Sequence, residues 1–107
     1  MKTEQFNDIV EEQIEMCKNV LSKKAQIYAG QSDRLIQFKT SACLEGCTPA
    51  RAVSGKMAKH TTLVYDLVND VEKGKKVTHA QWNETLTDHI NYLLLLRAVL
   101  VEEGLLR

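Results

Sequence analysis

The sequence predicts an all-α domain arranged as a four-helix bundle, with a long first helix, a short second helix and long third and fourth helices. Apolar residues recur at spacings of three and four along most of the chain, and no segment alternates apolar and polar residues as a strand does. Residues that typically start or end helices divide this pattern at Gly30, Gly46, Pro49, Gly74 and Thr78. At 107 residues, the chain is predicted to form one domain, residues 1–107, with a modest core.

Charge, hydropathy and cysteine content narrow the classes of partner. The 14 basic and 14 acidic residues balance to a formal net charge of zero, which disfavours a nucleic-acid partner. No run of about 18 apolar residues is present and the polar N-terminus lacks a signal-peptide pattern, so no membrane association is expected. Cys17, Cys43 and Cys47 have no second pair at zinc-ligand spacing, and free thiols are typical of the reducing cytoplasm.

The first helix is predicted from an apolar stripe that continues for about six turns. The stripe comprises Phe6, Ile9, Val10, Ile14, Cys17, Val20, Leu21 and Tyr28. Gly30 is expected to end the helix. The opposite face is acidic and includes Glu12-x-x-Glu15, a spacing that suits a metal site. Carboxylates beside Lys18 are also typical of a solvated helix face, which is the preferred interpretation.

Two further helices are expected between this segment and residue 73. Ser32 or Asp33 can cap a short second helix that carries Leu35, Ile36, Phe38 and Ala42. The third helix is predicted to start at Thr48-Pro49, because proline favours the first helical position, and to run to about Lys73. Its inward stripe consists of Val53, Met57, His60, Val64, Leu67 and Val71.

The fourth helix has the most informative pattern. Thr78 begins a capping box with the glutamine three residues later. Glu84, Asp88 and Asn91 then share one face at i, i+4 and i+7. Carboxylates that begin a buried helix are costly unless they are paired or bind a cation, so a polar pocket is expected there. Residues 92–96 are apolar all round, which indicates a central or interface-buried helix and predicts a homodimer or tetramer.

Helical phase turns a small set of polar side chains inward: Lys24, Tyr28, His60, Glu84 and Asp88. A short connection makes the third and fourth helices antiparallel neighbours, which brings His60 within reach of Glu84 or Asp88. His60 is either a hydrogen-bonded core histidine or a functional partner of these carboxylates. The lysine stem of Lys24 can run along an apolar surface, so its position alone is weakly informative.

Three local patterns resemble those of small phage-type proteins distantly related to the MazG-like all-α NTP pyrophosphohydrolases. They are Lys24-x-x-x-Tyr28 with Asp33-Arg34-Leu35 and Phe38-Lys39, then Met57-x-Lys59-His60, then Glu84-x-x-x-Asp88-x-x-x-Tyr92. The resemblance implies a four-helix bundle that binds Mg²⁺ through acidic pairs on two helices. It implies Glu84 and Asp88 as metal ligands and, with His60, as the catalytic residues. It implies Lys24, Tyr28, Lys59 and Trp82 as substrate-binding residues.

The chain departs from that superfamily where a first acidic pair is expected. The third helix has Lys56, Lys59 and His60 at this place instead of glutamates. Three functions therefore remain open. The first is a Mg²⁺-dependent pyrophosphohydrolase that converts an NTP or dNTP to the monophosphate and pyrophosphate. The second is a non-catalytic helical module of phage origin that binds a nucleotide or a protein in the host cytoplasm. The third is a structural dimer whose polar groups satisfy one another.

Overall fold

A computed structural model describes residues 1–27 and 33–107 of the chain. Its helices are α1 (Thr3–Ile27), α2 (Ile36–Glu45), α3 (Pro49–Glu72) and α4 (His79–Glu102). Their order and relative lengths confirm the all-α prediction, and the described residues contain no strand. The predicted roles of Tyr28, Gly30 and Ser32 fall outside the described residues.

Local chemistry accounts for the starts of α3 and α4. The Thr48 hydroxyl accepts a hydrogen bond from the Arg51 backbone N–H at 3.1 Å, and Pro49 occupies the first helical position. The Thr78 and Gln81 side chains form the predicted capping box, in which each accepts a hydrogen bond from the other residue's backbone N–H. Gly46 ends α2 with a positive φ of 67°, a conformation that favours glycine.

The start of α2 differs from its prediction. The helix begins at Ile36, and Leu35 is its N-cap residue without a side-chain cap. Asp33 instead accepts a hydrogen bond from the Leu35 backbone N–H at 2.9 Å, which closes a turn just before the helix. The Asp33 carboxylate and that of Glu102 also pair with Lys39, so these ion pairs join the start of α2 to the end of α4.

Helix α4 is central because α1 and α3 both pack against it. Helix α3 runs antiparallel to α4, and a hydrogen bond of 2.9 Å joins Thr61 Oγ1 to His89 Nε2. Helix α1 lies along another side of α4. Gln13 donates to the Thr87 hydroxyl at 2.8 Å, and one turn later the Asn91 amide donates to the Cys17 carbonyl at 3.4 Å. Both residue numbers rise together, so α1 and α4 run in the same direction.

The apolar core lies where α2, the first half of α3 and the second half of α4 meet. Its buried members are Leu35, Phe38, Val53, Leu95 and Val99. This location agrees with the predicted apolar stripes of α2 and of the first half of α3, whereas Val71 at the far end of the α3 stripe is 49% exposed. None of the helices in the described part of the chain is both long and apolar enough to cross a membrane.

The predicted apolar stripe of α1 is correct as a pattern but wrong as a buried face. Within α1, which is described in full, Cys17 is the one buried residue. Phe6, Ile9 and Ile14 remain 56%, 44% and 49% exposed because the chain provides α1 with α4 as its sole packed neighbour among the described helices. Within residues 92–96, which were predicted to lie in a central or interface-buried helix, Leu93 and Leu94 are 49% and 44% exposed in the single chain.

Candidate functional site

An open cleft of about 320 Å³ lies between α3 and α4, and we call it the α3–α4 cleft. It is lined by Lys59, His60, Leu63, Leu67, Gln81, Glu84, Thr85 and Asp88. Four of the residues predicted from the sequence therefore come together here. The antiparallel packing explains this, because the middle of α3 lies at the height of the first half of α4.

The helical repeat determines which polar residues of α3 and α4 face the cleft. Glu84 and Asp88 are four residues apart and project from one face of α4 over successive turns. Lys59 and His60 are adjacent on α3, so they diverge, yet both border the cleft. Glu84 is exposed and Asp88 is half-buried, so the carboxylates stand at the rim and not in the core. The cleft can therefore receive a ligand from solvent without opening the bundle.

The His60 imidazole is held by a stack of aromatic rings. It lies over the Tyr92 ring at a centroid distance of 4.6 Å and an interplanar angle of 30°. Tyr92 in turn meets Phe38 edge to face at 6.4 Å, and Phe38 is a fully buried member of the core. These ring contacts connect the cleft to the apolar core of the bundle.

Burial lowers the pKa of His60 below its usual value of 6.5, and the positive charges of Lys59, His89 and Lys24 lower it further. The Asp88 carboxylate acts in the opposite direction. At pH 7 the imidazole is therefore neutral and can accept a proton or a hydrogen bond. Lys24 is exposed in the last turn of α1, contrary to its predicted inward position, yet its charge reaches the cleft.

A second cavity, of about 290 Å³, lies between α1 and α4, and we call it the α1–α4 pocket. It is lined by Met16, Asn19, Val20, Asn83, Glu84, Thr87 and Asp88. Glu84 and Asp88 thus line both cavities and form a ridge between them. Each cavity lies near the lower end of the roughly 300–1,000 Å³ that is typical of small-ligand sites.

Other predicted residues lie apart from this arrangement. Trp82 is half-buried near the start of α4 and lines neither cavity, and Tyr28 lies outside the described residues. Asn91 does not share the cleft with the two carboxylates, because its buried amide binds the Cys17 carbonyl under α1. Glu12 and Glu15 are exposed, as the solvated-face interpretation predicted.

The donor set can be compared with what Mg²⁺ requires. Across residues 1–27 and 33–107, no three His, Cys, Asp or Glu side chains come close enough to hold a metal ion. Mg²⁺ in phosphate-transfer sites is commonly held by one or two carboxylates, with water and substrate phosphates as the remaining ligands. Glu84 and Asp88 fit one such ion bound together with a phosphate ligand. They do not fit a centre built from protein carboxylates alone.

A larger cavity, about 610 Å³, lies elsewhere, between the start of α2 and the end of α4. Its walls include Asp33, Arg34, Arg97 and Glu102. Lys39 already pairs with both of its carboxylates, so this region holds the two elements together. We regard the smaller α3–α4 cleft as the candidate site because it gathers a lysine, a neutral histidine and two carboxylates around one space.

Sequence reasoning missed several residues of these cavities. No pattern in the sequence singled out Asn19 or Asn83, which are both exposed and line the α1–α4 pocket. Only the position of Asn83, immediately before Glu84, could have indicated it. Tyr92 was quoted for the resemblance, but its contact with His60 depends on how α3 packs against α4.

Comparison of the chain with models of protein families, with curated proteins and with solved structures found no match. The MazG-like resemblance therefore stays a prediction from the three local patterns.

Proposed function

We propose that the protein is a nucleoside triphosphate pyrophosphohydrolase that binds the phosphate chain of an NTP or dNTP in the α3–α4 cleft with one Mg²⁺. The observation that supports this most is the composition of the cleft walls, with Lys59 and His60 on α3 opposite Glu84 and Asp88 on α4. A phosphate chain needs positive charge for its oxygens, and its metal ion needs carboxylates. Both are available around one space.

In the proposed reaction, the oxygen of a water molecule forms a bond to the α-phosphorus. The bond from that phosphorus to the oxygen that bridges to the β-phosphate breaks, and pyrophosphate leaves with the electron pair. His60 takes the proton of the water, since its lowered pKa keeps the imidazole neutral at pH 7. Lys59 donates to phosphate oxygens, and the nearby charge of Lys24 favours the anionic ligand.

Glu84 and Asp88 would hold the metal ion. When bound, Mg²⁺ neutralises phosphate charge as it builds up in the transition state. The ion would also offset the negative charges of the two carboxylates. Without it, their negative charges would repel a triphosphate that approaches the same space.

Pyrophosphate release tests the proposal directly. The protein is incubated with each of the common NTPs and dNTPs in the presence of Mg²⁺, and parallel reactions contain a chelator. We expect at least one nucleotide to yield stoichiometric monophosphate and pyrophosphate, with no product in the chelator reactions. Absence of product with every nucleotide would refute hydrolysis.

A second function, nucleotide binding without hydrolysis, is favoured by one observation. The α3 wall of the cleft carries Lys59 and His60 and no carboxylate, so a single acidic pair serves the site. Calorimetric titration distinguishes the two functions, because a binding module takes up nucleotide without releasing pyrophosphate. If Mg²⁺ is not involved, removal of a carboxylate charge should tighten nucleotide binding.

We also propose that the protein forms a homodimer or a tetramer through the uncovered side of α1 and α4. An apolar groove of about 380 Å³ lies there, lined by Ile9, Val10, Gln13, Ile14, Cys17, Leu86 and Ile90. Apolar patches of this kind are typical of interfaces between chains. Light scattering at micromolar concentration should give a mass at least twice that of the 12.1 kDa chain. A monomer mass would contradict the assembly.

A further inference from the structure

The α1–α4 pocket shares its carboxylate ridge with the proposed phosphate site, but nothing so far assigns it a ligand. We infer that this pocket receives the base of the nucleotide, so that the nucleotide lies across the ridge formed by Glu84 and Asp88. This inference rests on the proposed function, because it needs the phosphates to lie in the α3–α4 cleft. The shared residues make the two cavities direct neighbours on either side of the ridge.

Charge determines which part of the nucleotide belongs on each side. The Lys59 ammonium group borders the α3–α4 cleft, and the charge of Lys24 also acts there. His60, which is neutral at pH 7, adds a hydrogen-bonding group and no charge. Among the described residues, no lysine, arginine or histidine lines the α1–α4 pocket, whose only charged groups are the two ridge carboxylates. A phosphate chain would therefore be repelled from this pocket, while an uncharged group such as a base would not.

The polar groups of the pocket suit the edge of a base. The side chains of Asn19 and Asn83 each present one carbonyl acceptor and one amide donor, which can pair with adjacent donor and acceptor atoms. Thr87 is less available because its hydroxyl already accepts a hydrogen bond from Gln13. The base is thus recognised by two carboxamides, one from α1 and one from α4.

The remaining walls suit the flat faces of a base. Met16 and Val20 lie one turn apart on α1 and are both half-buried, so they offer an apolar surface beside the carboxamides. Apolar walls with a few placed polar groups are what small-molecule sites usually combine. Trp82, which the resemblance implies as a substrate-binding residue, lines neither cavity.

The experiment compares inorganic tripolyphosphate with nucleoside triphosphates, each titrated calorimetrically in Mg²⁺. Tripolyphosphate probes the α3–α4 cleft alone, whereas a nucleotide probes both cavities. We expect the preferred nucleotide to bind more tightly than tripolyphosphate. We expect Asn19→Ala and Asn83→Ala each to weaken nucleotide binding by about fivefold to tenfold, the usual size of one net hydrogen bond, and to leave tripolyphosphate unchanged.

Two further variants make the outcome unambiguous. Asn7→Ala is the matched control, since Asn7 is exposed on the same helix about 18 Å before Asn19 and should leave both affinities unchanged. Val20→Trp fills the pocket and should reduce nucleotide affinity to that of tripolyphosphate. Circular dichroism of each variant verifies that the helices are retained.

The results separate the base site from the proposed function. If tripolyphosphate binds but nucleotides bind no more tightly, or if both asparagine variants keep the full nucleotide affinity, the base site is refuted and the phosphate site stands. If neither ligand binds the folded wild-type protein, the proposed function and the base site are both overturned.

Discussion

Helices α3 and α1 both pack against α4, but they do so in different ways. Helix α3 buries Ala52, Val53 and Leu67 and contributes Lys59 and His60 to the α3–α4 cleft. Helix α1 is one residue longer, yet it buries Cys17 alone and meets α4 through the Gln13–Thr87 and Asn91–Cys17 hydrogen bonds. On the α3 side of α4 the chain buries apolar residues and leaves the α3–α4 cleft open, whereas on the α1 side most of the apolar stripe of α1 stays exposed.

An amphipathic pattern therefore does not specify the helix against which it packs. The apolar stripe of α1 is as regular as that of α3, but α3 is paired with α4 by a short connection, whereas α1 is separated from it by two helices. Hydrogen bonds from Gln13 and Asn91 orient α1 without burying its N-terminal half. Burial of that half would require a surface that the described chain does not provide.

We expect the greatest change when an acidic residue of α4 is compared with one of α1, because of these two helices only α4 lines the α3–α4 cleft. We predict that Asp88→Asn lowers pyrophosphate release by about 100-fold or more, since even an outer partner of a metal is worth roughly 10–100-fold. Asn is nearly the same size, so the fold should persist. Glu12→Gln on the exposed face of α1 is the control and should leave the rate unchanged. Equal losses in both variants would mean that α1 contributes its acidic pair to the site.

Two valines, one in α3 and one in α1, test whether the buried face of α3 contributes more to the free energy of unfolding than the exposed face of α1. Val53 in α3 is 0% exposed and Val10 in α1 is 38% exposed. Because Val53→Ala removes buried methyl groups and leaves a cavity, it should lower the free energy of unfolding by about 2 kcal/mol. Val10→Ala should change it by less than about 0.5 kcal/mol. Urea denaturation at low protein concentration measures both, and a large effect of Val10→Ala there would show that α1 is buried.

Variants at the contact between α1 and α4 should change the free energy of unfolding by less than Val53→Ala does. Gln13→Ala leaves the buried Thr87 hydroxyl without its donor, which should lower the free energy of unfolding by about 1 kcal/mol. Thr87→Val removes the other partner, and the double variant completes a thermodynamic cycle. A coupling energy near zero between the two positions would contradict the observed hydrogen bond. Gln26→Ala, on the exposed end of α1, serves as the control.

The smallest expected effect is the dependence of stability on pH through His60. Its pKa is lowered in the folded state, so below pH 6.5 the unfolded chain binds a proton that the folded chain resists. The contribution of His60 is therefore present above pH 6.5 and is lost as pH falls through the lower folded pKa. Proton NMR should give a His60 pKa below 6.5 and ring-current shifts from Tyr92.

Two variants of Tyr92 separate the effect of the ring stack from that of the bundle. Tyr92→Phe retains the aromatic face and should keep the ring-current shifts of His60. Tyr92→Leu removes that face, so the shifts should disappear and the pKa of His60 should move toward its usual value as water reaches the imidazole. Unchanged shifts in Tyr92→Leu would show that the two rings are not stacked in solution.

The helices and most of their boundaries could be predicted from the sequence, because they depend on neighbouring residues. The Thr48 cap with Pro49, the Thr78 capping box and the left-handed Gly46 are local devices, and each is present where the pattern predicted it. The approach of His60 to Asp88 also followed from sequence, since a short connection and helical rise place them at similar heights.

The faces that are covered, and the polar groups that line one cavity, depend on how the helices pack in the tertiary structure. Periodicity predicted that Glu84, Asp88 and Asn91 act together, but α1 packs over Asn91 and leaves the two carboxylates as a ridge between cavities. Asn19 is exposed on α1 and also borders the α1–α4 pocket, which its position in the sequence does not reveal. The physical reason is that helical phase specifies the direction of a side chain, whereas its surroundings depend on segments far away in the chain.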